Sequence, residues 1–126
     1  MSCVVIAEDD ADLLALYSRA LTRCGHSVIP CRDGRSAFIE VRDRRPDLLL
    51  TDVDMPPGMT GLELVTAVQS EPVTADIPII VATGGSADLA TANVPGVVGL
   101  LRKPLSPREL VGHVEAALAN GATQPG

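Results

Sequence analysis

Aromatic side chains are nearly absent from this sequence. Its 126 residues include no Trp, one Tyr (Tyr17) and one Phe (Phe38). A flavin-binding protein is therefore not favoured, because so few rings are present to stack on a flavin. Aliphatic residues must build the core, and the apolar content of 46% is sufficient for that. The length is typical of one domain, which we expect to span residues 1–120, with a flexible tail or linker over residues 121–126.

Cysteines are also few, and long apolar runs are missing. Cys3, Cys24 and Cys31 are an odd number without CxxC spacing, so neither a disulfide framework nor a zinc site is indicated. We interpret them as small apolar residues in a reducing cytosol. The N-terminal apolar run Cys3–Ala7 is far too short for a signal peptide or a membrane span. These features predict a cytoplasmic protein without membrane insertion.

Positive charge is scarce, and its distribution is uneven. Ten basic residues face sixteen acidic ones, a net charge of −6, which disfavours nucleic acid or an anionic membrane as a direct partner. Four arginines nevertheless crowd one predicted helix, at Arg35, Arg42, Arg44 and Arg45. Acidic residues lie among them, so the simplest interpretation is a solvated charged face, with partner binding as the alternative.

Short apolar runs alternate with stretches of helical periodicity, which indicates repeated βα units and a parallel sheet. The predicted strands are Cys3–Ala7, His26–Cys31, Asp47–Thr51, Pro78–Ala82 and Val97–Leu101. Pro30 cannot donate a hydrogen bond to a neighbouring strand, so the second strand is expected at an edge of the sheet. The third strand is continuously apolar, which favours a central position.

Helix signals fill the intervals between the strands. The predicted helices are Ala11–Cys24, one capped by Asp33 and running through Arg45, Gly61–Ser70, a weak one near Ser86–Val94, and a last one capped by Ser106. Glu109, three residues after Ser106, completes a capping box at the start of that last helix. From Ala119 onward the residues are small and polar, which predicts a frayed tail or a linker.

Polar residues follow four of the predicted strands. Glu8-Asp9-Asp10 follows the first strand, and the others are followed by Asp52, Thr83 and Lys103. Ligands of open α/β sheets bind outside the carboxyl ends of the strands, so these side chains are expected to converge on one crevice.

The chemistry of this crevice is indicated by its charges. Carboxylates held close together repel one another, and a hard divalent cation such as Mg²⁺ relieves the repulsion, which Asp9 and Asp52 are suited to bind. Lys103 is the only lysine in the chain. Its compact ammonium can pair with a carboxylate and then with a phosphoryl oxygen.

These residues match the motifs of a known family. They are Val5-Ile6-Ala7-Glu8-Asp9-Asp10, Asp52-Val53-Asp54-Met55-Pro56 with Gly61 downstream, Pro78 through Thr83, and Lys103-Pro104. From Val4 to about Ala119, the chain resembles the receiver domain of bacterial response regulators. The resemblance implies a flavodoxin-like, doubly wound five-stranded parallel sheet of order 2-1-3-4-5 with five helices.

The resemblance also implies a function. That function is phospho-acceptor signalling, in which Asp52 accepts a phosphoryl group from a phosphohistidine of a sensor histidine kinase or a histidine phosphotransfer protein. A downstream effector is a possible further partner. Such a domain is not an enzyme in the usual sense, but it assists its own phosphotransfer and autodephosphorylation. The implied residue roles are Asp52 as phospho-acceptor, Glu8 and Asp9 as the acidic pair that binds Mg²⁺, Asp54 as a backbone-carbonyl ligand, Thr83 as the hydroxyl that turns toward the phosphoryl group, and Lys103 as its cation.

The sequence departs from the usual family pattern at three places. The loop after Asp52 has one residue more than its commonest form, and Gly84-Gly85 follows Thr83. Leu100 occupies the position three before Lys103, where the family usually has Tyr or Phe. We therefore expect phosphorylation to shift or order the segment Gly84–Gly96 instead of moving an aromatic ring.

Two other functions remain open at this point. The first is a haloacid-dehalogenase-like phosphatase, because Asp52-Val53-Asp54 after an apolar strand matches its nucleophile motif. The second is a receiver-like docking adaptor that is never phosphorylated, against which the intact acidic, Thr and Lys set argues.

Overall fold

The computed structural model describes residues 2–53, 59–84, 96–103 and 105–123. Its elements are β1 (Cys3–Ala7), α1 (Ala11–Arg23), β2 (Ser27–Cys31), α2 (Gly34–Arg44), β3 (Leu48–Asp52), α3 (Gly61–Ser70), β4 (Ile79–Thr83), β5 (Val97–Arg102) and α4 (Pro107–Thr123). The five strands form one parallel sheet of order β2-β1-β3-β4-β5, which confirms the expected fold. The predicted helix near 86–94 lies outside the described residues. No described helix has the length and apolar character needed to cross a membrane.

The sheet carries a core on each of its faces, because successive side chains of a strand point to opposite sides. One core joins Val5, Leu49 and Val81 to apolar residues of α2 and α3, among them Val41 and Leu64. The other core is built from the alternate strand positions and from α1 and α4, through Val4, Ile6, Leu50, Tyr17, Leu21, Leu110 and Val114. Helices α2 and α3 thus cover one face, and α1 and α4 cover the other.

Position in the sheet explains the composition of each strand. All residues of β3 and β4 are buried, as expected for central strands of a sheet covered on both faces. Pro30 lies in β2, which has a neighbour on one side only. The prediction of an edge position for this strand is therefore confirmed.

Side chains cap the starts of the helices. The Asp33 carboxylate accepts a hydrogen bond from the Ser36 amide at 2.7 Å, as predicted. Ser106 Oγ accepts from the Glu109 amide at 3.1 Å, and the Ser106 amide donates back to the Glu109 carboxylate at 3.4 Å, which confirms that capping box. Thr60 and Glu63 form a second capping box at the start of α3.

The last helix is longer than the sequence analysis expected. It continues to Thr123, whereas the tail was expected to begin at Ala119. Ala116, Ala117 and Ala119 favour a helix, but Asn120, Gly121 and Thr123 do not, so helix propensity does not account for the last turn.

Helix α3 begins in close contact with the end of β3. The Gly61 amide donates to the Val53 carbonyl oxygen at 2.9 Å. A Cβ atom at position 61 would collide with the Asp52 carbonyl oxygen and would lie 2.8 Å from the Val53 Cα atom. Gly61 is therefore required for the backbone of α3 to approach the end of β3.

This contact predicts that Gly61→Ala lowers the free energy of unfolding by about 1–3 kcal/mol, as overpacking does elsewhere. Gly112→Ala is the matched control, because a Cβ at that helical position meets nothing within 4 Å. The control should stabilise the protein by about 0.5–1 kcal/mol through helix propensity. Urea unfolding of both variants measures the two changes, and equal stabilities would contradict the steric argument.

Candidate functional site

The sheet order brings three carboxylates together at its carboxyl edge. Strands β1 and β3 are neighbours, with Ala7 paired to Thr51, so Glu8 and Asp9 emerge beside Asp52. One oxygen from each of these three carboxylates lies within 4.8 Å of the others. Glu8 and Asp52 are buried, and Asp9 is half-buried.

Lys103 extends into this cluster from the end of β5. Its backbone amide donates to the Thr83 carbonyl oxygen at 2.8 Å, which fixes the start of the side chain. Its Nζ lies 2.6 Å from Glu8 Oε1 and 3.2 Å from Asp52 Oδ2. The ammonium therefore connects two buried carboxylates on separate strands. Thr83, the last residue of β4, is also buried, and β4 is the neighbour of β5 in the sheet.

Burial and neighbouring charges shift the pKa values of Glu8 and Lys103. Burial raises the pKa of Glu8 to about 7, the hydrogen bond from Lys103 opposes that shift, and the Asp52 charge adds to it. Burial lowers the pKa of Lys103, but its hydrogen bond to Glu8 and the charges of Glu8 and Asp52 outweigh burial, so the net shift is upward. Lys103 therefore stays charged, and Glu8 is the member of the pair that titrates near neutral pH.

The residues of the cluster fit a hard divalent cation. Three carboxylates against one ammonium leave uncompensated negative charge, and carboxylate oxygens are the ligands such cations prefer. Glu8, Asp9 and Asp52 are the residues placed to hold it. Asp54, the expected backbone-carbonyl ligand, lies outside the described residues.

Asp10 has a different role from the two acidic residues before it. Its Oδ1 accepts hydrogen bonds from the amides of Asp12 at 2.9 Å and Leu13 at 3.1 Å. It is therefore the N-cap of α1. We expected Asp10 at the crevice with its neighbours, but Asp10 caps α1 and only Glu8 and Asp9 lie beside Asp52.

Two features of the site were not found from the sequence. One is the direct contact between Lys103 and Glu8, for which the single lysine was the only signal. The other is Tyr17 of α1, which is buried in the core and lies close enough to the site for the charges of Lys103, Glu8 and Asp52 to act on its pKa. Burial raises the pKa of its phenol, and the Lys103 charge acts in the opposite direction. The position of Tyr17 on the apolar face of a predicted helix did not indicate that it lies close to Lys103.

Comparison with known proteins places these features in a family. Residues 4–115 match the response regulator receiver domain. The chain belongs to this family. It is 34% identical over 125 residues to the phosphate regulon transcriptional regulatory protein PhoB of Pseudomonas aeruginosa, covering 98% of this chain and 53% of PhoB. It is 33% identical over 123 residues to the chemotaxis protein CheY homolog of Campylobacter jejuni, covering 94% of each.

Solved structures agree with this assignment. CheY4 of Vibrio cholerae superposes with a TM-score of 0.85 at 28% identity, over 93% of this chain and 98% of that one. The receiver domain of a signal transduction histidine kinase from Syntrophus aciditrophicus superposes with a TM-score of 0.87 at 26% identity, over 99% and 96%. The chain is also 30% identical over 124 residues to the DNA-binding response regulator MtrA of Mycobacterium tuberculosis. It spans about half the length of these two curated relatives, 53% of PhoB and 53% of MtrA.

Family membership bears on the functions left open by the sequence. Receiver domains are signalling domains of two-component systems, and phosphorylation on an Asp and Mg²⁺ binding are general features of the family. The match is to receivers, so it does not support a haloacid-dehalogenase-like phosphatase.

Leu100 is half-buried against the core under α2 and α3. The expectation for Gly84–Gly96 stays a prediction, because residues 85–95 lie outside the described part of the chain.

The raised pKa of Glu8 predicts a loss of stability with rising pH in metal-free protein. The unfolded chain releases the Glu8 proton near pH 4.5, and the folded chain keeps it until about pH 7. The stabilising contribution is therefore complete below about pH 4.5 and is lost as the pH rises through about 7. Urea unfolding in EDTA from about pH 5 to pH 8 should show the wild type losing stability relative to Glu8→Gln.

Glu71→Gln is the control for this comparison, because Glu71 lies outside the carboxylate cluster. Its stability should follow that of the wild type across the whole pH range. If the difference between wild type and Glu8→Gln is constant with pH, Glu8 does not titrate in this interval.

Proposed function

We propose that this receiver accepts a phosphoryl group on Asp52 from a phosphohistidine, with Glu8 and Asp9 binding Mg²⁺ beside it. The observation that carries the proposal is the position of Asp52. Its carboxylate belongs to the three-carboxylate cluster, and its Oδ2 lies 3.2 Å from Lys103 Nζ. An acidic nucleophile thus stands next to both a cation site and a fixed ammonium.

The reaction is a transfer between two covalent partners. An oxygen of Asp52 attacks the phosphorus, the P–N bond of the phosphohistidine breaks, and the imidazole leaves with the bonding electron pair. Phosphoryl transfer needs little covalent chemistry from the protein beyond the nucleophile, so positioning and charge neutralisation dominate. Mg²⁺, when bound, supplies positive charge next to the transferring group.

Lys103 and Thr83 complete the proposed set. The Lys103 ammonium already donates toward Asp52, so it needs only a small movement to donate to a phosphoryl oxygen. Glu8 holds that ammonium through its 2.6 Å contact, which keeps the charge at the site before phosphorylation. Thr83 ends β4 at the same edge of the sheet, so its hydroxyl is the proposed donor to another phosphoryl oxygen.

The product is an acyl phosphate, which water hydrolyses, so the phosphorylated state is temporary. The domain assists both its own phosphorylation and its dephosphorylation, and in that sense it is not an independent enzyme. We propose a sensor histidine kinase or a histidine phosphotransfer protein as the donor, in the cytoplasm. PhoB and MtrA are named as a transcriptional regulator and a DNA-binding regulator. A downstream effector is therefore the proposed recipient of the signal, and residues 1–120 are the proposed domain.

The proposed metal site predicts an effect of Mg²⁺ on stability. Mg²⁺ should raise the melting temperature, because it relieves carboxylate repulsion and binds only the folded state. At ten times the dissociation constant the gain is about 1.4 kcal/mol. Asp9→Ala should abolish the shift, and Asp76→Ala, an exposed carboxylate outside the cluster, should preserve it. No shift in the wild type at millimolar Mg²⁺ would contradict the proposed metal site.

The proposed function also predicts which residue is phosphorylated. Acetyl phosphate with Mg²⁺ should add one phosphoryl group to the wild type, measured by intact-mass analysis. Asp52→Asn should accept none while melting as a folded protein, and Asp76→Asn should be phosphorylated like the wild type. A wild type that takes no phosphoryl group from acetyl phosphate or a phosphohistidine donor would favour the docking-adaptor alternative.

A further inference from the structure

Tyr17 is a buried polar residue to which the proposed phosphotransfer assigns no role. It lies on α1, it is 2% exposed, and it belongs to the core that α1 and α4 form with the sheet. Its hydroxyl is buried and has no hydrogen-bond partner among the residues that the structure describes. A buried hydroxyl without a partner destabilises the folded state. A partner for this hydroxyl is therefore expected in another state of the domain.

The charged site lies on the same side of the sheet as Tyr17. Residues two apart on a strand point to the same face. In each of β1, β3 and β5, the residue two positions before the site residue belongs to the core that contains Tyr17. These pairs are Ile6 with Glu8, Leu50 with Asp52, and Leu101 with Lys103. The two carboxylates and the ammonium are thus on the α1 side of the sheet.

The position of Tyr17 on α1 brings its hydroxyl toward this site. The helix begins at Ala11, soon after β1 ends, so its N-terminus lies at the carboxyl edge of the sheet. Side chains of an α-helix tilt toward the N-terminus, which directs the long Tyr17 side chain to that edge. In agreement, the largest influence on the pKa of Tyr17 after burial is the Lys103 charge, which opposes the upward shift that burial causes.

The Lys103 ammonium requires more than two hydrogen-bond acceptors. It has three N–H donors. In the unphosphorylated domain its Nζ lies 2.6 Å from Glu8 Oε1 and 3.2 Å from Asp52 Oδ2. In the proposed phosphorylated state it keeps Glu8 and turns from Asp52 to a phosphoryl oxygen. Its side chain is only 15% exposed, so the third N–H needs an acceptor within the protein.

We propose that Tyr17 is a positioning residue whose hydroxyl oxygen accepts a hydrogen bond from the third N–H of Lys103 when the phosphoryl group is on Asp52. The hydroxyl touches neither the phosphoryl group nor the metal, and it acts by fixing the direction of the ammonium. Because the contact forms as the phosphoryl group arrives, it also stabilises the transition state. The inference rests on the proposed function and adds a residue to it.

Tyr17→Phe tests this role, because it removes the hydroxyl and keeps the ring. The maximal rate at which acetyl phosphate phosphorylates the protein, followed by intact-mass analysis, should fall about tenfold, as expected for one hydrogen bond to a charged group. The Mg²⁺ concentration that gives half of the maximal rate should not change, because Tyr17 lies outside the carboxylate cluster. If Tyr17 only fills the core, Phe replaces it and the rate is unchanged.

Ser18→Ala is the matched control. Ser18 Oγ is also buried on α1 and also lacks a partner in the described part of the chain. Neighbouring residues of an α-helix point about 100° apart, and Ser18 is not part of the core that contains Tyr17. This variant should be phosphorylated at the wild-type rate. Melting curves of both variants show that each is folded.

A double-mutant cycle shows whether Tyr17 acts through Lys103. Lys103→Met removes the ammonium and keeps an unbranched side chain, and it should slow phosphorylation by itself. Adding Tyr17→Phe to Lys103→Met should then cause no further loss, because the hydroxyl has no ammonium to position. Additive losses would mean that Tyr17 acts independently of Lys103.

The wild type carries its own spectroscopic probe of this contact. Tyr17 is the only tyrosine and the chain has no Trp, so the tyrosine band in the near ultraviolet reports on one hydroxyl. Beryllium fluoride with Mg²⁺, a mimic of the phosphoryl group, should shift this band in the wild type and in Ser18→Ala. The melting temperature shows that the mimic is bound.

The outcomes separate this inference from the proposed function. A wild type that is not phosphorylated on Asp52 would overturn both. Three other outcomes would overturn the inference alone. They are equal rates for the phosphorylated wild type and Tyr17→Phe, additive losses in the double variant, and a tyrosine band that does not move when the mimic is bound. An equal loss of rate in Ser18→Ala would also overturn it, since any buried hydroxyl of α1 would then have the same effect.

Discussion

The site depends on the compensation of buried negative charge by one ammonium. Glu8 and Asp52 are almost entirely inaccessible to solvent, and carboxylates in that setting are costly unless they are paired or neutralised. Lys103 contacts both, which holds β1, β3 and β5 in one electrostatic unit at the carboxyl edge. The compensation is incomplete, because a third carboxylate, Asp9, joins the same cluster. A site short of positive charge is suited to bind a cation, which would then offset the negative charge of an incoming phosphoryl group.

The topology of the sheet makes this unit possible. In the order β2-β1-β3-β4-β5, the strands that bear acidic residues are direct neighbours, and β4 separates them from the strand that ends before Lys103. A long side chain is therefore needed to connect β5 to β1, and lysine has the required length with a compact charge. Gly61 permits the same crowding on the helical side, since any side chain there would collide with the end of β3.

The sequence predicted the strands, the edge position of β2 and two of the caps, because periodicity, Pro30 and the Asp33 and Ser106 signatures are local signals. It also predicted which strand ends converge, since that follows from βα alternation. It did not predict that Asp10 caps α1 while Glu8 pairs with Lys103, because adjacent acidic residues look alike until the backbone directs each side chain. The proximity of Tyr17 to Lys103 depends on packing between α1 and the sheet, which short motifs do not capture.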